Sequence, residues 1–200
     1  MTYTDVMVDI ETLGTAPGSV VLSIGAVAFD ASREDEVGWL TWDSHAIGVA
    51  SSKAVGLEVD AATILWWSQQ SFEARHLVNE AMAGGKHVVN ALQEFARWFP
   101  AGARLWGNGS DFDTVLLAAA YKRVNVEQPW KFYNNRCFRT MKNLYPQVAA
   151  PEFLGLKHDA AADALHQTRH LTRILRHINR AEEALDALKC ARVDTTEHAL

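Results

Sequence analysis

A chain of 200 residues with 48% hydrophobic and 22% charged side chains can bury a single core, which excludes a disordered chain and a string of domains. Its net charge of −5 excludes a protein that wraps long nucleic acid through a global basic field, but not a ligand gripped over a few phosphates. The start has neither a basic leader nor a long apolar run, and Cys137 and Cys190 have no ligand-like spacing, so free thiols, no membrane span and a cytoplasmic location are expected.

In chain order, Thr4 to Ile10 alternates, is rich in β-formers and predicts a strand, and Pro17 and Gly18 supply the turn after it. Val20 to Phe29 predicts a second, strongly apolar strand and Val37 to Trp42 a third, with links short enough to make the three antiparallel neighbours. From Asp60 the spacing turns helical, with Asp60 placed to cap a helix carrying Ile64, Leu65 and Trp67. Another helix runs from near His87 to Phe99, with Val88, Leu92, Phe95 and Phe99 on one face, and Pro100–Gly102 ends it. Arg104 to Trp106 predicts a short strand, and Gly107-Asn108-Gly109 a tight turn into a helix bearing Val115, Leu116, Ala119 and Ala120. His158 to Ile178 is the longest helical segment, with Leu165, Leu171, Ile174 and Leu175 as its apolar stripe. After Arg180 come an alanine-rich helix, Ala181 to Ala191, and a polar tail. This order predicts an α/β fold with a mixed sheet flanked by helices over residues 1–180, and a C-terminal helix and tail over 181–200.

The acids are the chemically informative residues. Asp9 and Glu11 stand two apart in V-M-V-D-I-E-T-L-G, so on a strand both carboxylates leave one face while Val8 and Ile10 turn to a core. Such a pair is costly to bury without a cation, although at an exposed strand end it costs little. Asp113, in G-N-G-S-D-F-D-T-V-L-L, enters a helix after a strand and a glycine turn, where α/β sheets present functional groups. Asp111 is its rival; we assign Asp111 the helix cap and Asp113 the site. In K-H-D-A-A-A-D-A, His158 and Asp163 lie about 500° apart on an ideal helix, so they meet only if His158 precedes the helix and bends back. Asp159 stands i, i+4 from Asp163 and is the alternative ligand. His166 and His170 are also i, i+4, but H-Q-T-R-H lacks the glutamate of H-E-x-x-H and a third ligand, so an exposed pair is favoured over zinc.

Trp66 and Trp67 point about 100° apart on a helix, so one belongs to a core and the other is free to stack on a base. Trp39, Trp42, Trp98, Trp106 and Trp130 read as core. Arg136 and Arg139 suit a phosphate clamp and a solvated surface pair equally well.

D-I-E-T-L-G, the F-D of G-N-G-S-D-F-D-T-V-L-L, and H-x-x-x-x-D, in that order, resemble the DEDDh (DnaQ-like) 3′–5′ exonucleases, which include proofreading subunits, RNase T and oligoribonuclease. W-W-S-Q-Q from Trp66 and F-Y-N-N-R-C-F-R-T from Phe132 resemble a phage and bacterial branch, and the likeness runs from about Thr4 to Leu175. It implies an RNase H-like mixed five-stranded sheet flanked by helices, acting on single-stranded 3′ ends of DNA or RNA. By the same resemblance Asp9, Glu11 and Asp163 hold one divalent ion, Asp9 and Asp113 help hold a second, and His158 is the general base. Thr12 and Leu13 then contact the terminal nucleotide, with Trp66 and Arg136 as further substrate contacts. Magnesium or manganese suits an all-oxygen shell, and two such ions about 3.5–4 Å apart activate water and stabilise the leaving oxygen. A histidine of ordinary pKa, about 6.5, takes a proton near neutrality. The branch tips the sugar towards DNA, with an exoribonuclease for short RNA as the alternative, and several relatives are homodimers. Gly107 departs from the family, whose proofreading members often open the second motif with histidine. Two other readings are a non-catalytic binding module on the same fold, which would have no need to converge acids, and an RNase H-like endonuclease or strand-transfer enzyme, against which His158 and the small size speak.

Overall fold

In the computed structural model, residues 3–33 and 38–197 are described, with side chains through 189. Strand β1 (Asp5–Thr12) pairs antiparallel with β2 (Val21–Phe29), which pairs antiparallel with β3 (Leu40–Asp43). On the other side β1 pairs parallel with β4 (Arg104–Gly107), and β4 with β5 (Asn135–Cys137), giving the order β3-β2-β1-β4-β5. The mixed five-stranded sheet is therefore as expected, with the meander first and the parallel strands added after the helices. β1 runs two residues further than its alternation predicts, and its register with β2 shifts between Glu11 and Thr12. Of the expected third strand, Val37 to Trp42, only the part from Leu40 is strand; Gly38 and Trp39 are not, and Val37 lies outside the described residues.

The two-residue period of β1 divides the molecule. Val6, Val8 and Ile10 enter a large core with Leu105, Leu116, Leu92 and Phe95. That core is covered by α1 (Val49–Ala54), α2 (Ala61–Ser68), α3 (Phe72–Ala83), α4 (Val88–Trp98) and α5 (Asp113–Arg123). Asp60 caps α2 by accepting from the Ala62 amide at 2.9 Å, and Val88, Leu92 and Phe95 form the buried face of α4, both as predicted. Helix α3 was not predicted, because it buries only Ala74 and Ala81 and so lacks a bulky stripe, although Ser71 caps it. The opposite face of the sheet packs Met7, Val27, Phe29 and Trp106 against α6 (Phe138–Leu144) and α7 (Ala160–Glu197).

Helix α7 differs from its expected form in two ways. It starts at Ala160 instead of His158, and it continues through Arg180 without a break, so Ala181–Ala191 is no separate helix. Its buried stripe is Ala160, Ala164, Gln167, Thr168, Leu171 and Ile174, with Leu165 and Leu175 only partly covered. Small residues at the front bring the helix axis close to the sheet. Gly25 of β2 completes the approach: a Cβ there would stand 2.1 Å from the Ala160 carbonyl carbon, so a side chain at this position would push the helix away. Gly25 pairs with Asp9, so this close approach of α7 to the sheet falls beside the first acid. No helix among the described residues is long and apolar enough to cross a membrane.

Candidate active site

Asp9 and Glu11 leave β1 on the α7 face, as their spacing predicts, one on each side of Ile10 in the opposite core. Asp163 comes from the first turn of α7, and one carboxylate oxygen each from Asp9, Glu11 and Asp163 lie within 4.8 Å of one another. Asp113 is the first residue of α5 and is 3% exposed. Its Oδ2 accepts from the Asn108 amide at 2.8 Å, just after β4 ends. A Cβ at Gly107 would come within 2.9 Å of that same oxygen, so the glycine makes room for the carboxylate. Asp111 is exposed and does not cap α5, whose N-cap position is Phe112 with no side-chain hydrogen bond; Asp113 is the residue that enters the cleft, but the cap expected of Asp111 is absent.

The segment ahead of α7 resolves the angular problem posed by His158 and Asp163. His158 has φ of 64°, a left-handed conformation uncommon outside glycine, which folds the chain back before the helix. Its amide then donates to Asp163 Oδ2 at 3.0 Å. Its Nδ1 lies 3.8 Å from Glu11 Oε1, and its ring is held edge-on by Trp66 and Trp67, with centroids at 5.1 and 5.9 Å. Asp159, the alternative ligand, instead caps α7 by accepting from the Ala162 amide at 2.9 Å, and its side chain is exposed.

Burial and mutual repulsion shape the electrostatics. Desolvation, then repulsion by Asp113, Glu11 and Asp163, holds the Asp9 carboxyl well above the usual carboxylate range. Glu11 is pushed up to about 8 by desolvation and by Asp163, Asp113 and Asp159. Asp113 rises to about 6 through desolvation, moderated by backbone amides, and Asp163 is raised by burial. Four recessed carboxyls with raised affinity for a positive charge, all offering hard oxygen atoms, fit a divalent cation.

The acids open onto a cleft of about 520 Å³ that also presents Phe112, Arg139, Phe153, Lys157, His166 and Gln167. Next to it, across Glu11 and Phe112, an apolar hollow of about 450 Å³ is lined by Thr12, Thr15, Thr63, Trp66 and Trp67. Trp67 is the core member of its pair, donating from Nε1 to the Thr12 carbonyl at 2.8 Å, and Trp66 is 43% exposed. Of the other tryptophans Trp106 and Trp130 are buried, while Trp39, Trp42 and Trp98 are partly covered.

Three expected contacts are corrected. Leu13 is fully buried in the core and cannot touch a nucleotide with its side chain, because the chain turns inward after Thr12. Arg136 donates to the Tyr133 and Asn135 carbonyls at 3.0 and 2.9 Å and does not line the cleft; Arg139, the second residue of α6, does. His166 and His170 are not an exposed pair: His170 is buried with Nε2 2.9 Å from the Val148 carbonyl, and His166 lies against Phe153 in the cleft. Sequence reasoning missed Lys157 and Gln167 altogether; the only signal for Gln167 was its i+4 spacing from Asp163.

The family described as the Rv2179c-like 3′–5′ exoribonuclease domain matches residues 4–175. The chain belongs to that family. That family is one of 3′–5′ exonucleases, and the fold is the RNase H-like one of the nuclease structures that the chain resembles. The nuclease domain of 3′hExo, a DEDDh family member bound to rAMP, is 10% identical with a TM-score of 0.52, over 88% of this chain and 94% of that one. Pop2p of S. pombe, in a form with Mg²⁺ and Mn²⁺ bound, is 15% identical with a TM-score of 0.52, over 86% and 82%. E. coli exonuclease I in complex with a 5cy-dA13 oligonucleotide is 18% identical with a TM-score of 0.62; 93% of this exonuclease aligns, spanning only 43% of that chain. No curated protein matches the sequence.

Proposed function

We propose that this exonuclease removes nucleotides from single-stranded 3′ ends, with RNA as the preferred substrate, using Asp9, Glu11, Asp113 and Asp163 to hold two divalent cations, magnesium or manganese. The observation that carries the reading is the convergence of three carboxylates within 4.8 Å beside the His158 ring. When bound, such ions supply the charge that lets water attack a phosphodiester and lets its oxygen leave. Asp9, Glu11 and Asp163 would hold one cation, and Asp113, steadied by the Asn108 amide, would help Asp9 hold the second. His158, its ring wedged between two tryptophans and the cleft, takes the proton of the attacking water. Thr12 and Trp66 border the terminal nucleotide in the apolar hollow, where Trp66 presents a face for its base, and Arg139 and Lys157 meet its phosphates.

The family description supports RNA over the DNA that the phage-like motifs suggest. The test is hydrolysis of 5′-labelled RNA and DNA oligomers of one sequence, in magnesium, in manganese and in chelator. Stepwise shortening of the RNA from its 3′ end, faster than of the DNA and absent in chelator, is the expected result. Equal rates on both would remove the sugar preference, and cleavage in chelator would remove the metals. A cytoplasmic location and a homodimer complete the proposal; light scattering of the full chain measures the latter.

A further inference from the structure

The cleft contains one buried polar side chain to which the proposed chemistry gives no task. Gln167 is 5% exposed, and its Nε2 donates to Asp9 Oδ1 at 2.7 Å. The amide's orientation follows from chemistry, since only its NH₂ end can donate to a carboxylate and the flipped form would oppose two acceptors. Its Oε1 is buried in the cleft wall and has no hydrogen-bond partner among the described residues. The carboxyls of Asp113, Glu11 and Asp163, all of its own sign, press on Asp9. Among the side-chain hydrogen bonds of the described residues, Gln167 alone donates to Asp9. Helix α7 carries Gln167 one turn beyond Asp163, so the amide and the acid face β1 together.

We propose that Gln167 is a positioning residue for Asp9, a role that rests on the metal reading of the cleft. Nε2 holds Oδ1 and so fixes the rotation of the carboxylate, aiming its free lone pairs at the cation shared with Glu11 and Asp163. A carboxylate surrounded by like charges would otherwise turn away from them, and the cation would have to reorient it on binding. Partners of metal ligands of this kind typically contribute about 10–100-fold in metal affinity or activity.

The test is manganese binding, by calorimetry and by the electron paramagnetic resonance of the bound ion, beside single-turnover cleavage. The variants are Gln167→Met, which keeps the volume, and Gln167→Asn, which keeps the amide but withdraws it by one methylene. Each should bind manganese about 10-fold more weakly and cleave about 10–100-fold more slowly. Thr168→Val, a fully buried neighbour that bonds the Ala164 carbonyl, is the packing control and should bind manganese as wild type does. In an Asp9→Asn background Gln167→Met should weaken manganese binding no further. Wild-type manganese affinity in Gln167→Asn, or an undiminished effect of Gln167→Met in the Asp9→Asn background, overturns the role; should Gln167→Met fail to fold, Gln167→Asn decides. Wild-type manganese binding in Asp163→Asn would instead overturn the metal reading beneath it.

Discussion

Strand β1 carries two recessed acids on one face, Asp5 at its start and Asp9 in its middle, and the two are built for opposite purposes. Asp5 is fully buried and accepts four hydrogen bonds: from Thr4 Oγ1 at 2.6 Å, Arg104 Nε at 2.7 Å, Arg104 Nη2 at 2.6 Å and Trp106 Nε1 at 2.7 Å. Asp9, four residues along the same face, has the Gln167 amide and three other carboxyls. The protein compensates the first charge completely and leaves the second to be compensated from outside. Among buried acids, a shortage of donors separates a site from a structural ion pair more cleanly than burial does.

The largest effect that can break this comparison is loss of catalysis without loss of fold. Asp9→Asn and Asp163→Asn should abolish hydrolysis and leave chelated protein as stable as wild type or more so, since each removes repulsion. Asp5→Asn should do the reverse: activity survives, while stability falls by about 3 kcal/mol, the low end for breaking a buried pair because Arg104 is partly exposed. Denaturant melts and single-turnover rates on the three variants decide it. An inactive but stable Asp5→Asn would erase the distinction.

His158→Ala should slow cleavage by roughly 10²–10⁴-fold, the usual share of a general base, with manganese affinity unchanged. Asp159→Ala, which removes a helix cap, should cost about 1 kcal/mol and remain active. If His158→Ala loses the metal in calorimetry, or Asp159→Ala is as inactive as Asp163→Ala, the segment before α7 has been misread.

The shifted acids set the sign of the pH dependence. Carboxyls raised in the folded state bind protons more tightly there than in the unfolded chain. The stability this gives is complete below the ordinary carboxylate values of about 4 and is lost as pH rises through about 6 for Asp113 and about 8 for Glu11. In chelator the melting temperature should therefore fall across that window. Manganese at about 100 times its dissociation constant should add roughly 2.7 kcal/mol and flatten the descent. Differential scanning fluorimetry with and without chelator reads both, and a melting temperature that climbs with pH in chelator would contradict the repulsion.

The smallest effect separates two arginines. Arg139→Ala should raise KM for an RNA oligomer by a few-fold, on the order of 1 kcal/mol for one exposed charge-assisted contact, while Arg136→Ala should leave KM unchanged. Equal KM values in steady-state assays would remove Arg139 from the substrate's path.

What was legible in the sequence was local and periodic. Alternation along β1 put Asp9 and Glu11 on one face, the α4 stripe named its buried side chains, and Asp60 announced the start of α2, because each pattern depends on neighbours within a turn or a pleat. The ordered acids also carried the family, since their types and sequence survive even where the local fold is unknown. Everything that needed two distant segments to meet was decided by tertiary packing. Gly25 admitting Ala160, the left-handed His158 turning its amide onto Asp163, and Arg139 reaching the cleft while Arg136 does not depend on how α6 and α7 lie on the sheet, and Leu13 sinks into the core under α1–α5 on the opposite face. Gln167 is the sharpest case. In sequence it is one polar residue on a helix whose expected stripe was leucine and isoleucine, and only the close approach of α7 to β1, across 158 residues, turns it toward Asp9.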